Sequence, residues 1–249
     1  MIISDTIFIF TIKEIVMSIF PVPKQVIKTD GFFDASSVIN VYSALKSDFI
    51  YQELKTFLEF KATNEDQANL KYLIDQSLAG QDYKIEVNEK NIIIYASSEV
   101  GHYYGTTTLK QIFNTTIECQ TIIDGPDLKV RGFMYDISRN KVPKVETVKL
   151  IIDIMAKLKM NHLELYVEGF SFGYKSFPQY LHDERYLTIE EYQEIEAYAN
   201  SKFIDFVPNM NGFGHMSAWL AIPELKHLGE TETGMYKWGR VRKPSTLNA

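Results

Sequence analysis

The sequence predicts an α/β protein in two parts, a small α+β domain followed by the opening of a (β/α)8 TIM barrel truncated after about three βα units. Three observations carry this. From residue 128 onward, strand-like apolar runs alternate with amphipathic helical stretches, the pattern of parallel βαβ units. Upstream, the elements are shorter and include a hairpin signal, "YKIEVNEKNIIIYA" at 83–96, with its turn around Asn88–Asn91. Between the two, Asp124-Gly125-Pro126 reads as a turn and sets a domain junction near residue 127.

Taken in order, the chain begins with "MIISDTIFIFTIKEIVMSIFPVP", which is apolar but is broken by Asp5, Lys13 and Glu14. That falls short of the roughly 18 clean apolar residues of a spanning helix, and neither a basic leader nor a small-residue cleavage site is present. A second start is available at Met17, so residues 1–16 read as an N-terminal extension and 17–127 as the first domain. In that domain "VIKTDGFF" and "VINVYSAL" are strand-like, and residues 49–60 carry apolar positions at helical spacing. "SSEVGHYYGTTTLKQIF" opens on Ser97 or Ser98 as N-cap and continues as a helix packing Tyr104, Leu109 and Ile112 on one side. His102 lies in this helix with nothing at metal-ligand spacing, and reads as a packed or surface histidine. From 128 to 249 the order is "VRGFMYDIS" strand, "KVETVKLIIDIMAKLKM" helix, "NHLELYVEGF" strand, "TIEEYQEIEAYANSKF" helix and "IDFVPNMNGFG" strand.

Composition narrows the function classes. A chain of 249 residues with 45% hydrophobic content can build a real core. A net charge of −6, without a Lys/Arg-rich tract, gives no footprint for nucleic acid or an anionic membrane. The single cysteine, Cys119, forms no intramolecular disulfide and suits a reducing compartment, so a soluble cytoplasmic protein is expected. No cofactor and no metal is expected.

In a (β/α)8 barrel the C-terminal strand ends and the loops after them build the active site. Asp136 and Arg139 sit there after the first strand, Glu168 after the second, and Asn209, Asn211 and His215 after the third. Each has a bland alternative: Asp136 capping the next helix, Arg139 pairing with Glu146, His215 opening a helix. Three strands ending in polar groups on one face are harder to attribute to capping.

These residues also carry a resemblance. "RGFMYDISRNKVPKVETVKLIIDIMAKLKMNHLELYVEGFSF" resembles the opening of the catalytic barrel of glycoside hydrolase family 20, the β-N-acetylhexosaminidases. "VPNMNGFGHMSAWLAIPEL" is similar to the family's third-strand segment, where a Gly-His pair follows a proline-containing strand and Pro-Glu-Leu closes the next helix. "YKIEVNEKNIIIYASSEVGHYYGTTTLKQIF" is similar to the end of the small non-catalytic α+β domain that precedes the barrel. The resemblance covers about residues 20–249.

It implies a carbohydrate substrate with a terminal N-acetylhexosamine, cleaved with retention by the substrate's own 2-acetamido oxygen. Arg139 matches the arginine that grips ring hydroxyls, its planar fork suiting two neighbouring hydroxyls. His215 matches the histidine of a network joining a second-strand carboxylate to the acid catalyst. Glu168 is the nearest carboxylate, although the family carries Asp in a His-x-His-x-x-Asp-like strand; Glu164, deeper on the same face, is the alternative. The family's Asp-Glu catalytic pair, at the end of the fourth strand, is absent from this chain, and Asp183-Glu184 reads as a solvated loop pair. The chain is therefore expected to be an inactive fragment that self-associates through unpaired barrel edges. The alternative is a non-catalytic carbohydrate-binding or vestigial protein.

Overall fold

The computed structural model describes residues 19–139, 141–181 and 185–248; the expected extension at 1–16 and the Asp183-Glu184 pair lie outside them. The chain divides into two compact units, one ending at Gly125 and the other beginning at Pro126.

The first unit holds strands β1 (Gln25–Asp34), β2 (Ile39–Ser43), β3 (Phe60–Ala62), β4 (Leu70–Ile74), β5 (Tyr83–Val87), β6 (Ile92–Ala96) and β7 (Thr116–Asp124), with helices α1 (Asp48–Leu54) and α2 (Glu99–Ile112). The strands form one mixed sheet in the order β1-β7-β5-β6-β4-β2-β3. The expected hairpin is present, β5 and β6 pairing antiparallel from Tyr83↔Ala96 to Val87↔Ile92. Ser98, not Ser97, caps α2, its hydroxyl accepting from the Gly101 amide. Tyr104 and Leu109 are buried as expected, while Ile112 is only half-buried. The helix expected over 49–60 is shorter: Ser47 caps it, it ends at Leu54, and Phe60 already opens β3. The chain must turn there because β3 runs parallel to β2, a pairing that apolar spacing does not reveal. His102 is fully buried, its Nε2 3.0 Å from the Leu73 carbonyl and its ring edge-on to Tyr72, which bears out the packed reading.

The second unit begins with three parallel strands, β8 (Gly132–Asp136), β9 (His162–Val167) and β10 (Asp205–Met210), in the sheet order β10-β9-β8. The crossovers contain α3 (Val145–Lys157) and α4 (Ile189–Asn200). Thr188 starts α4 through a reciprocal capping box with Glu191, whose carboxylate also receives both ends of the Arg185 guanidinium. Leu163, Leu165 and Val167 of β9 and Phe206 of β10 bury one sheet face against Val148, Ile152 and Met155 of α3 and Ile195 and Ala199 of α4. A one-residue slip of β9 would exchange this apolar set for His162, Glu164 and Tyr166, so the register is strongly specified. The Arg-Gly motif at the start of β8 is structural: the Arg131 guanidinium donates to the Lys159 and Leu128 carbonyls, and Asn161 accepts from the Arg131 amide.

After β10 come a four-residue helix α5 (Ser217–Leu220), a 3₁₀ segment Pro223–Leu228, and a separate hairpin of β11 (Met235–Lys237) and β12 (Arg240–Arg242). The Pro-Glu-Leu expected to close a helix instead opens that 3₁₀ segment, since proline supplies no amide to continue α5. Among the described residues, β8 and β10 each have one strand neighbour.

Candidate active site

Strand alternation places His162, Glu164 and Tyr166 on the sheet face opposite α3 and α4, with Glu168 following one residue beyond β9. The register puts Met134 and Asp136 of β8, and Val207 and Asn209 of β10, on that same face. Polar side chains occupy it in two layers.

The upper layer converges on one oxygen of Glu168. Arg139 donates from Nη1 to Glu168 Oε2 at 2.5 Å, the Tyr166 hydroxyl donates to the same oxygen at 3.3 Å, and His215 Nδ1 lies 3.4 Å away. Glu168 is 16% exposed at its side chain whereas Arg139 is 59% exposed, so the carboxylate is the fixed centre and the guanidinium its accessible rim. Arg139 Nε also approaches Asp136 Oδ2 at 3.5 Å. Asp136 in turn accepts from the amide and hydroxyl of Ser138 at 2.8 and 2.6 Å. Burial works against its charge, but those two hydrogen bonds and the Arg139 guanidinium outweigh it and hold the carboxyl below its ordinary range. Glu168 above all, with Asp136, keeps the Arg139 guanidinium even more firmly charged than usual.

Two backbone features build this layer. Gly169 follows Glu168 at φ +63°, turning the chain away from the strand while the Glu168 carbonyl accepts from the Ser171 hydroxyl. His215 stands at φ +58° in a loop stitched on both sides: the Met216 amide donates to the Ser245 carbonyl, and the Leu247 amide to the Phe213 carbonyl.

The lower layer is centred on Glu164. His162 Nε2 lies 2.9 Å from Oε1, and Asn209 donates to Oε2 at 2.7 Å. The His162 hydrogen bond, then that of Asn209, holds the Glu164 carboxyl below its usual range. Glu164 is therefore one layer removed from Arg139 and His215, and Glu168 is the carboxylate that meets both. Asn209 belongs to this lower layer, and the Asn211 amide donates back to the Val167 carbonyl at 3.3 Å; the structure brings neither to the Glu168 cluster. The bland alternatives for Asp136 and Arg139 are not what the structure holds, while His215 does stand at the entry to a helix. Asp136 binds Ser138 and does not cap α3, whose N-cap is Lys144. Arg139 pairs with Glu168 and Asp136 rather than Glu146, and His215 precedes the Met216 N-cap of α5. No group of three or more His, Cys, Asp or Glu among the described residues is placed to hold a metal ion.

Residues 129–249 match the family model "Glycosyl hydrolase family 20, catalytic domain", and residues 16–125 match "Glycosyl hydrolase family 20, domain 2". The chain belongs to glycosyl hydrolase family 20. Its similarity to individual members is moderate. A beta-hexosaminidase of Vibrio furnissii is 28% identical over 243 residues, covering 84% of this chain and 40% of that protein. A beta-hexosaminidase of Porphyromonas gingivalis is 25% identical over 252 residues, covering 84% of this chain and 32% of that protein. Among solved structures, the beta-N-acetylhexosaminidase from Bacteroides fragilis is similar with a TM-score of 0.77 at 26% identity, covering 84% of this chain and 48% of that one. This family 20 chain thus spans less than half the length of these relatives.

Two residues beyond those expected at the strand ends, Tyr166 and His162, join the site. The signal was present: "HLELYVE" alternates His, Glu, Tyr and Glu with three core aliphatics, so a polar set of period two marks the whole inner face of β9.

Proposed function

We propose that this chain supplies the sugar-gripping part of a β-N-acetylhexosaminidase-type glycosidase that removes terminal N-acetylhexosamine from carbohydrate by substrate-assisted retention. The observation that carries the reading is the convergence of Arg139, Tyr166 and His215 on Glu168 beyond the C-terminal ends of parallel strands. Arg139 Nη2 has no hydrogen-bond partner among the described residues, and the side chain is largely exposed, so donors remain for a ring hydroxyl. Glu168 orients that fork, while His215 and Glu168 form the network that positions and polarises an acid catalyst. Asp136 lines the grip. Asn209 and Asn211 support the strand ends beneath it.

Among the described residues, the Glu168 carboxylate is engaged by Arg139 and Tyr166 and the Asp136 carboxylate by Ser138, which supports reading the cluster as a grip for the sugar rather than as the proton donor. The single strand neighbour that β8 and β10 each have among the described residues supports self-association or assembly with further strands. No helix among the described residues is long and apolar enough to cross a membrane, and the one cysteine is buried and unpaired. The unpaired cysteine is what supports a cytoplasmic location.

Calorimetric titration with N-acetylglucosamine, alongside an assay with 4-nitrophenyl N-acetyl-β-glucosaminide, tests the proposal. Saturable binding lost in Arg139→Ala, without turnover, is expected. Turnover by the purified chain that Arg139→Ala abolishes would overturn the assignment of a grip without an acid.

A further inference from the structure

The β11–β12 hairpin is built against the rules for hairpins. Its two turn residues, Trp238 and Gly239, both lie in the left-handed region, at φ +53° and +75°. Such a turn favours Asn-Gly, and a bulky residue at its first position is an outlier. The hairpin gains no core in return: every strand residue is exposed, with Tyr236 and Trp238 each 75% exposed and Val241 70%. An indole held in a strained turn and offered to solvent has a use outside folding.

Charge points to the use. Within 235–243 there are four cations, Lys237, Arg240, Arg242 and Lys243, and no acid, in a chain of net charge −6. They are interleaved with aromatics, which hides them from a search for basic runs. Lys237 Nζ lies 4.7 Å and the Arg242 guanidinium 4.6 Å from the Trp238 ring centre. At the base of the hairpin is a cavity of about 270 Å³ lined by Lys237, Arg242 and Lys243 together with Thr231, Ser245 and Thr246, with Glu230 its one acid. Gly234 closes that base at φ +87°, where a Cβ would fall 2.0 Å from the Arg242 carbonyl oxygen. The chain leaving the hairpin then stitches to the His215 loop through Ser245 and Leu247.

We propose that the hairpin and its basal cavity bind an acidic sugar, a carboxylate- or sulfate-bearing unit of the glycan next to the one gripped at Arg139. This rests on the sugar-binding reading of the Glu168 cluster. The cations and hydroxyls bind the anionic group in the cavity, and the Trp238 face stacks on the sugar ring. Exposed aromatics with cations also suit an anionic bilayer. The concave polar cavity and its attachment to the His215 loop favour a sugar.

The chain has two tryptophans, Trp219 buried and Trp238 exposed, so fluorescence reports the hairpin directly. The 249-residue chain is titrated with an N-acetylglucosaminyl-glucuronate disaccharide and with neutral N,N′-diacetylchitobiose. The acidic disaccharide should shift Trp238 emission and bind about tenfold tighter, as expected for one charge-assisted contact, and the preference should vanish in concentrated salt. Glucuronate and N-acetylglucosamine 6-sulfate as separate probes distinguish carboxylate from sulfate. Trp238→Asn, which suits the turn, and Arg242→Gln, both read by calorimetry, should abolish the preference while leaving N-acetylglucosamine binding unchanged. Equal affinities for the two disaccharides, or a preference surviving both substitutions, would overturn the proposal. So would a Trp238 response confined to phosphatidylglycerol vesicles. If Arg139→Ala binds N-acetylglucosamine normally while the Trp238-dependent preference persists, the acidic-sugar site stands and the assignment of the Glu168 cluster fails.

Discussion

Replacing Gly169 by alanine should damage the site by moving Glu168 without touching any of its partners. Gly169 sits at φ +63°, where a side chain costs about 1–2 kcal/mol. The added Cβ would lie 3.3 Å from the Ala218 Cβ, a contact that a shift of a few tenths of an ångström relieves. The backbone term therefore dominates, and the loss should be about 1–2 kcal/mol. Trp219 is a local reporter, since its ring packs 4.7 Å from that of Phe170, the next residue. Urea unfolding followed by Trp219 emission, with Trp238→Phe to silence the exposed indole, measures the cost. Gly169→Asn should cost less than Gly169→Ala although asparagine is larger, because asparagine tolerates the left-handed region. Ala218→Gly should rescue little. Full rescue by Ala218→Gly, or an asparagine variant worse than the alanine one, would show that packing rather than backbone conformation governs this turn.

On the proposed sugar grip, a longer family 20 protein carrying this segment should show a raised KM for an N-acetylglucosaminide in Arg139→Ala, as expected of a fork that would bind ground and transition states alike, whereas His215→Ala should mainly lower kcat and shift the pH profile; steady-state kinetics separate the two. The depressed carboxyls of Glu164 and Asp136 contribute stability that is complete above the ordinary carboxylate range and is lost as pH falls through their folded values, so urea midpoints should decline below about pH 4.5, less steeply in Glu164→Gln. Burial pushes His102 below its ordinary value, so the unfolded chain binds a proton that the folded one refuses. Stability of the first unit should accordingly fall as pH drops below about 6.5, and His102→Gln should flatten that decline in pH-dependent unfolding.

Much of the second unit was legible from local pattern. The aliphatic alternation in "HLELYV", the capping residues of α4 and the apolar spacing of α3 are properties of neighbouring residues, and they state which face is buried without reference to the rest of the chain. The same locality explains why local pattern does not mark β3, β4 and β7. Their membership of the sheet depends on partners far along the sequence, as in β1 with β7. For the candidate site, the sequence by itself placed Asp136, Arg139, Glu168, Asn209, Asn211 and His215 at strand ends, and the two asparagines turn out to bind Glu164 and the Val167 carbonyl instead of the Glu168 cluster. Tertiary structure decided which of them touch. Side-chain period two leaves Glu164 and Glu168 equivalent in direction, and only the height at which Arg139 and the stitched, left-handed His215 loop arrive separates them. The hairpin shows the same division. Its cations and aromatics are plain in "MYKWGRVRK", yet their assembly around one ring and one cavity exists only once a turn that tryptophan disfavours has folded the two strands together.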